Sequence, residues 1–316
     1  MRGSKVSVVI PTIGRPSLAA AVRSAAGQSG HAVEILVVFD TEDVPRDLHL
    51  GSGVSILCTG GGAGGSAARN LGVAAAQGEF VAFLDDDDEW LPGKLDAQVA
   101  VADEILGRGR VPIVGSRVLQ RRSDAADVTP AAVPPTLIRS AQTPQDYLFR
   151  ARKVGAGRPV FPTPTILTTH GLAAAVPWQR SLRRHQDWQW LIEASQRPGV
   201  ELAQVGQATA IVSIGSANSI SAKPDWNASL EWARTWKGVW HPQTYADFLA
   251  AQVLRYAIQA RDRRGINLTM RELRRAGTVP SGWSAYSGLL GLVPRQLAER
   301  AALAISGRTA RAAAAR

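Results

Sequence analysis

Five acids stand in a row at Asp85-Asp86-Asp87-Asp88-Glu89, directly after the apolar stretch Phe80–Leu84 and just ahead of Trp90-Leu91-Pro92. Like charges crowded in this way repel one another, so an apolar stretch that aims them at one point needs a counter-charge. A hard divalent cation bridging a diphosphate supplies one, because Mg²⁺ and Mn²⁺ prefer oxygen ligands and keep positions open for phosphate. Such an ion neutralises charge on a departing nucleoside diphosphate. The competing reading is a solvated acidic loop that caps the helix after Pro92. A second feature is Gly60-Gly61-Gly62-Ala63-Gly64-Gly65. It satisfies G-x-G-x-x-G through Gly60, Gly62 and Gly65, with an acid about 20 residues on, as a dinucleotide site requires. It follows the third apolar run rather than the first, however, its acid sits inside a row of acids, and no Lys follows the glycines. A loop beside the diphosphate is the preferred reading over a dinucleotide or Walker A loop.

The elements that must position these groups are short apolar runs alternating with helical stretches. Lys5–Thr12, Val33–Asp40, Val54–Thr59 and Glu79–Asp85 read as strands, and Pro16–Gln28, Ser66–Gln77 and Leu91–Leu106 as helices. Near-continuous Val/Ile/Leu runs joined by helices indicate a buried, mostly parallel sheet. In such α/β sheets ligands bind beyond the C-terminal ends of the strands. Thr12, Asp40, the glycines after Thr59 and the Asp85 run all fall there, so four strand ends converge on one edge. Ser123–Pro164 is rich in Pro, Ala and Thr and reads as loops with a short helix near Gln145–Arg150. Asp187–Ser195 reads as helix, Val200–Ile214 as strand, and the chain after Thr244 as helical.

The chain has 316 residues, 45% of them hydrophobic and 20% charged, which excludes wholesale disorder. One cysteine, Cys58, excludes an internal disulfide framework and a cysteine metal cluster. Val6–Ile10 is too short for a signal-peptide core, and no run approaches the roughly 20 apolar residues of a membrane span. A soluble or peripheral cytoplasmic protein is expected. The net charge is +10, and Tyr245–Arg316 holds 12 Arg against four acids. A basic tail of this kind faces nucleic acid, anionic lipid or an acidic substrate. Nucleic acid is disfavoured, since the aromatics do not interleave with the basic residues. Ser287–Ile305, apolar with scattered Arg, suits an anionic membrane surface, or else an amphipathic helix packed on the protein.

KVSVVIPTIGRPSL, VEILVVFD and GGSAARNLGVAAAQGEFVAFLDDDDEWLPGKL, in this order and spacing, resemble glycosyltransferase family 2 over Lys5–Leu95. The resemblance implies a GT-A fold with a helical C-terminal extension, and inverting sugar transfer from a UDP- or dTDP-sugar. It makes Asp85 and Asp87 the outer acids of a DxD motif binding Mn²⁺ or Mg²⁺, with Asp87 the main ligand and Asp85 or Asp86 near the ribose and phosphates. Asp40 matches the acid that contacts the base, and Pro11, Thr12 and Ile13 match the loop bordering the nucleotide. Arg69-Asn70 matches an ARN segment. Arg69 then reaches phosphate, or else forms a surface ion pair. Phe39 stands where the family often has a further acid, and Ile13-Gly14 replaces Tyr-Asn.

Inverting transfer needs a carboxylate to take the acceptor's proton. The resemblance assigns this to Asp187, with Gln186 in place of the usual Glu; helix capping is the alternative for Asp187. His185, beside Arg183 and Arg184, reads as a surface residue, with a backup base as the alternative. Ser216–Ser221 resembles the loop that closes over the diphosphate. Trp188, Trp190 and Trp226 offer faces for acceptor sugars, with core packing as the alternative. The resulting division is a catalytic domain over 1–225, with a donor half at 1–120 and an acceptor half at 121–225, followed by a basic helical region at 226–316. The acceptor expected is a glycan, glycolipid or cell-envelope precursor. A nucleotidyltransferase of similar fold and a non-catalytic sugar- or membrane-binding module are the alternatives.

Overall fold

In a computed structural model the described residues are 4–45, 50–122, 132–150, 159–215 and 224–292. The apolar runs of the N-terminal half form the strands β1 (Lys5–Thr12), β2 (Ala32–Phe39), β3 (Val54–Cys58) and β4 (Phe80–Phe83). β1, β4 and most of β2 are buried, as parallel strands require, while β3 is a partly exposed edge strand. β1 pairs in parallel with β2 and β4, and β2 with β3. Lys5 lies opposite Ala32 and Thr12 opposite Phe39, so the ends of β1 and β2 are level.

The connecting helices are α1 (Leu18–Ala26), α2 (Gly65–Ala75) and α3 (Lys94–Gly107). α2 can lie close on the sheet because Gly72 faces it: a Cβ there would collide with Val9 Cγ1.

Beyond β4 the sheet changes character. β5 (Glu89–Trp90), β6 (Val111–Arg122), β7 (Leu167–Thr169) and β8 (Val200–Ile214) complete an eight-stranded sheet of order β3-β2-β1-β4-β7-β6-β8-β5. β7 is antiparallel to both neighbours, β5 is antiparallel to β8, and β6 runs parallel to β8 with a register shift around Arg117. The sheet is therefore mixed, with its parallel order concentrated in the N-terminal half. β7 has three residues, too few for any periodicity to show in the sequence.

Contacts divide the chain into two units. The first takes in the described residues of Met1–Val128, Leu137–Gln142 and Phe161–Ile214, with α5 (His170–Ala175) and α6 (Gln186–Ser195) among its helices. Its core includes Trp178 and Trp190 stacked at 5.3 Å, with Phe83 edge-on to both.

The second takes in the described residues of Thr129–Thr136, Thr143–Val160 and Gly215–Arg316. It is helical: α4 (Pro144–Phe149), α7 (Trp226–Thr235), α8 (Pro242–Phe248), a π-helical turn Leu249–Leu254, α9 (Arg255–Gln259), α10 (Arg263–Arg275) and α11 (Gly282–Leu289). Phe149, Trp232, Trp240 and Phe248 pack ring to ring in its core. The described residues of 129–136 and 143–160 thus fold with the C-terminal helices although they precede β7 in the chain. No helix among the described residues is long and apolar enough to cross a membrane. Ser216–Ser221 and the part of Ser287–Ile305 beyond Leu292 lie outside the described residues.

Candidate active site

The acids after β4 are held in a tight turn, the Asp88 N–H donating to the Asp85 carbonyl (3.1 Å). Their surroundings make them unlike one another. Asp85 accepts from Arg69 Nη2 of α2 (2.6 Å). Asp86 is buried. Its Oδ2 accepts from the Thr12 hydroxyl at the end of β1 (2.6 Å), and its Oδ1 from Arg15 Nη1 (2.7 Å). Asp87 is 36% exposed at its side chain and lies 3.1 Å from the same Arg15 nitrogen. Asp88 turns inward, and its Oδ1 accepts from the Ser213 N–H of β8 (2.8 Å). The Ser213 hydroxyl donates to the Asp87 carbonyl (2.5 Å).

Neither Asp88 nor its neighbours cap α3, whose N-terminal boundary residue is Gly93, with no side-chain cap. The helix-capping reading of the run is corrected by this geometry: Asp88 stitches the turn to β8.

Crowding and burial leave their mark on ionisation. Burial pushes the Asp87 carboxyl up to about 6, the Asp85 charge adds to this, and Arg15 opposes it. Burial also raises Asp86, against the Thr12 hydroxyl and Arg15, and raises Asp88 well above the carboxylate range, with Asp85 and Asp87 adding. Among the described residues no group of three or more His, Cys, Asp or Glu is disposed to hold a metal ion by itself.

The other strand ends contribute unequally. Pro11 is buried in β1 against Val38, and Ile13 is 60% exposed just past it. Asp40, just past β2, is fully engaged by the glycine loop. Its carboxylate accepts from the Thr59 hydroxyl (2.5 Å), the Ala63 N–H (2.8 Å) and the Gly64 N–H (2.7 Å). Burial raises Asp40, but these three donors outweigh it and hold the carboxyl below its ordinary value. Gly60, Gly61, Gly62 and Gly64 all take positive φ, which side chains would resist. The loop is thus a latched turn feeding α2. At the start of that helix the buried Ser66 Oγ, like Arg69 Nε, has no partner among the described residues.

Arg69 is the hub between the two halves of the site. It lies 4.7 Å over the Trp178 ring, donates to Asp85, and reaches Gln186 Oε1 at 3.5 Å. Its side chain is only 11% exposed, so the surface ion-pair reading does not describe it. Asn70, expected at the nucleotide, instead grips the backbone of Trp178: its amide donates to the carbonyl (2.8 Å) and accepts from the N–H (2.7 Å). Its place is beneath Arg69 as a brace, because both ends of the amide are taken.

Asp187 sits in the first turn of α6. Burial raises its carboxyl, the Trp188 N–H, Arg69 and its own N–H oppose this, and the Asp85 charge adds to it. Asp187 therefore shares one electrostatic field with Asp85 and Arg69, although about a hundred residues separate it from the acidic run. His185, expected at the surface, is buried. It precedes α6 in the left-handed region (φ 63°), with its ring stacked on Trp188 at 4.6 Å. A non-glycine residue held there stores about 1–3 kcal/mol of strain. Trp190 is fully buried in the core and offers no face to a sugar. The Trp226 Nε1–H donates to Asp262 within the helical unit (3.0 Å).

Sequence reasoning missed Arg15 and Ser213. Arg15 had a signal: it is a cation at the end of β1, at the edge where the acids were expected. Ser213 had none, being an ordinary residue on a long strand.

Residues 7–146 match the family described as "Glycosyl transferase family 2". The amylovoran biosynthesis glycosyltransferase AmsB of Erwinia amylovora is 24% identical over 219 residues, 66% of this chain and 70% of that protein. The putative teichuronic acid biosynthesis glycosyltransferase TuaG of Bacillus subtilis is 33% identical over 101 residues, 30% of this chain and 40% of that protein. Among solved structures, S. aureus TarS superposes with a TM-score of 0.59 at 15% identity, covering 96% of this chain and 54% of that one. TarS 1-349 in complex with UDP-GlcNAc gives 0.56 at 17% identity, covering 96% and 90%. The chain spans about half the length of the longer TarS structure. The fold is that of GT-A glycosyltransferases, and residues 7–146 of the chain are similar to glycosyltransferase family 2.

Proposed function

We propose that the protein transfers a sugar, with inversion, from a UDP- or dTDP-sugar to a hydroxyl of a glycan, glycolipid or cell-envelope precursor. The observation that carries this reading is Arg69, which donates to Asp85 of the acidic turn at 2.6 Å and reaches Gln186, the neighbour of Asp187 in α6, at 3.5 Å. TarS in its complex with UDP-GlcNAc shares the fold, and the AmsB and TuaG names speak of amylovoran and teichuronic acid biosynthesis. These support a nucleotide-sugar donor and an envelope-type acceptor.

In the proposed reaction Asp187 accepts the proton of the acceptor hydroxyl as that oxygen bonds to the anomeric carbon. The bond from the anomeric carbon to the diphosphate breaks on the opposite face, and the nucleoside diphosphate leaves with the electron pair. Burial raises Asp187, which makes it a better proton acceptor than an exposed carboxylate. Arg69 orients the Asp85 turn and presents a guanidinium toward phosphate. The unpartnered Ser66 hydroxyl adds a donor at the start of α2.

The residues also suit a divalent ion. Asp87 and Asp85 present oxygen ligands on one turn; burial first, and then the Asp85 charge, push Asp87 up to about 6, and a cation would relieve that crowding. Two carboxylates plus substrate phosphates are the usual holding set for Mg²⁺. Mn²⁺ or Mg²⁺ held there by Asp87 and Asp85 would neutralise the leaving diphosphate.

The test is Asp187→Asn, assayed for transfer and for donor binding by calorimetry. Donor affinity should be retained while kcat falls about 10²- to 10⁴-fold. Transfer at the wild-type rate would require another base. Donor hydrolysis or metal-dependent nucleotide binding by the wild-type chain separates this enzyme from a non-catalytic module.

A second reading concerns the helical unit. A groove of about 630 Å³ is lined by Leu254, Met270, Leu273, Val279 and Leu289, with Arg274 at its wall. Val279 and Leu292 are largely exposed, and Arg263, Arg264 and Arg271 are exposed nearby in the chain on α10. Apolar side chains fringed by arginines suit an anionic membrane surface. This supports a peripheral position at the cytoplasmic face, where nucleotide sugars are available. Co-sedimentation with phosphatidylglycerol vesicles should fail for Arg271→Glu/Arg274→Glu. Equal binding by the double variant would end this reading.

A further inference from the structure

We propose that Arg15 is a built-in counter-ion for Asp86 and Asp87, and that it makes binding of a divalent cation conditional on a nucleoside diphosphate. This rests on the metal-dependent reading above and deepens it.

One guanidinium nitrogen, Arg15 Nη1, bridges two carboxylates, at 2.7 Å from Asp86 Oδ1 and 3.1 Å from Asp87 Oδ2. The bridge is aimed by the backbone. Gly14, immediately before it, takes φ 84° and donates its N–H to the Thr12 hydroxyl (2.9 Å), which in turn donates to the other oxygen of Asp86 (2.6 Å). The loop and the acid are thus joined by a continuous chain of hydrogen bonds from Gly14 through Thr12 to Asp86. Pro16 follows and fixes its own φ, which restricts the loop further.

With Arg15 in place and Arg69 on Asp85, three of the four aspartates already have a positive partner or share one, and Asp88 is held by the Ser213 N–H. The acidic turn is therefore satisfied without an ion. A cation and the guanidinium cannot both occupy the open side of Asp87, because like charges at such separations repel strongly at low dielectric.

The partners differ in their freedom to move. Asp86 is nearly sealed at 5% exposure, whereas the Arg15 side chain is 37% exposed. A phosphate offers a guanidinium a better, bidentate partner than the single contact to Asp87. A diphosphate at the sheet edge draws Arg15 outward and leaves the Asp87 carboxylate open. Linkage then requires the converse, that a bound cation tightens the nucleotide.

The test measures binding, at pH 8, on wild type, Arg15→Gln, Arg15→Lys and a distant control, Arg23→Gln on the exposed face of α1. Calorimetry with Mn²⁺ alone should show weak binding by wild type and Arg23→Gln, roughly tenfold tighter binding by Arg15→Gln, and little gain for Arg15→Lys, which keeps the charge. UDP binding in EDTA should weaken roughly tenfold in Arg15→Gln, the worth of one charge-assisted contact. Arg15→Gln binding Mn²⁺ no tighter than wild type, or no tighter than Arg23→Gln, overturns the proposal. If UDP still promotes Mn²⁺ binding in that case, the metal-dependent reading survives alone. Absence of Mn²⁺ binding by every chain, with and without UDP, overturns both.

Discussion

Asp40 and Asp187 are both carboxylates near one sheet edge, yet their environments push them in opposite directions. Asp40 lies below its ordinary value, because the Thr59 hydroxyl and the Gly64 and Ala63 N–H groups outweigh burial. Its contribution to stability is therefore present above the unfolded value of about 3.9 and lost as pH falls through the lower native value. Asp40→Ala should cost about 1–3 kcal/mol in urea unfolding and raise hydrogen exchange at residues 60–65. Unchanged exchange there would show that the loop holds itself. Asp187 lies above its ordinary value through burial. A base must be ionised to act, so the acidic limb of the kcat/KM profile should sit above about 3.9. A limb at the ordinary value in a well-folded enzyme would detach Asp187 from catalysis. Asp87→Ala should abolish metal-dependent transfer and leave the melting curve intact, since the carboxylate is partly exposed and its ion pair is to the partly exposed Arg15.

The elements that carry these residues are held together at a few close approaches. α2 brings Arg69 to Asp85 only because Gly72 lets the helix settle on Val9 and Val38. Gly72→Val should cost about 1–3 kcal/mol as overpacking and lower kcat together with stability, read by urea unfolding and donor assay. Asn70 braces the Trp178 backbone from the same helix with two hydrogen bonds. Asn70→Ala should cost about 1–3 kcal/mol, since it strips two backbone groups of their partners. Here the sequence was informative about the element and misleading about the residue. The ARN segment was read as lying on a helix, and it does, but that Asn70 faces Trp178, 108 positions on, follows from packing alone.

Across the whole chain the two units have separate cores. The aromatic cluster of the helical unit centres on Phe248, fully buried with Phe149 at 4.9 Å and Trp232 at 5.2 Å. Phe248→Ala should destabilise that unit by about 3–5 kcal/mol, seen as an early tryptophan-fluorescence transition in urea; a single undisturbed transition would argue against this core.

The strands β1 to β4, the helices between them and the acidic turn were legible from residue order. Apolar runs of five or more and the turn residues after them are local properties of the backbone and its burial. The long strand β8 was legible too, although its apolar residues are interspersed with polar ones. The later strand order was not, since β7 is too short for a pattern and its pairing is a long-range choice. The site divides in the same way. The sequence located four acids after a strand, but only the folded chain made them different. Arg69 meets Gln186 across 117 positions, and Asp88 meets Ser213 across 125. Arg15 reaches Asp86 across 71. A charge takes its meaning from the partner that desolvation forces upon it, and that partner is chosen by the closure of the sheet rather than by neighbours along the chain.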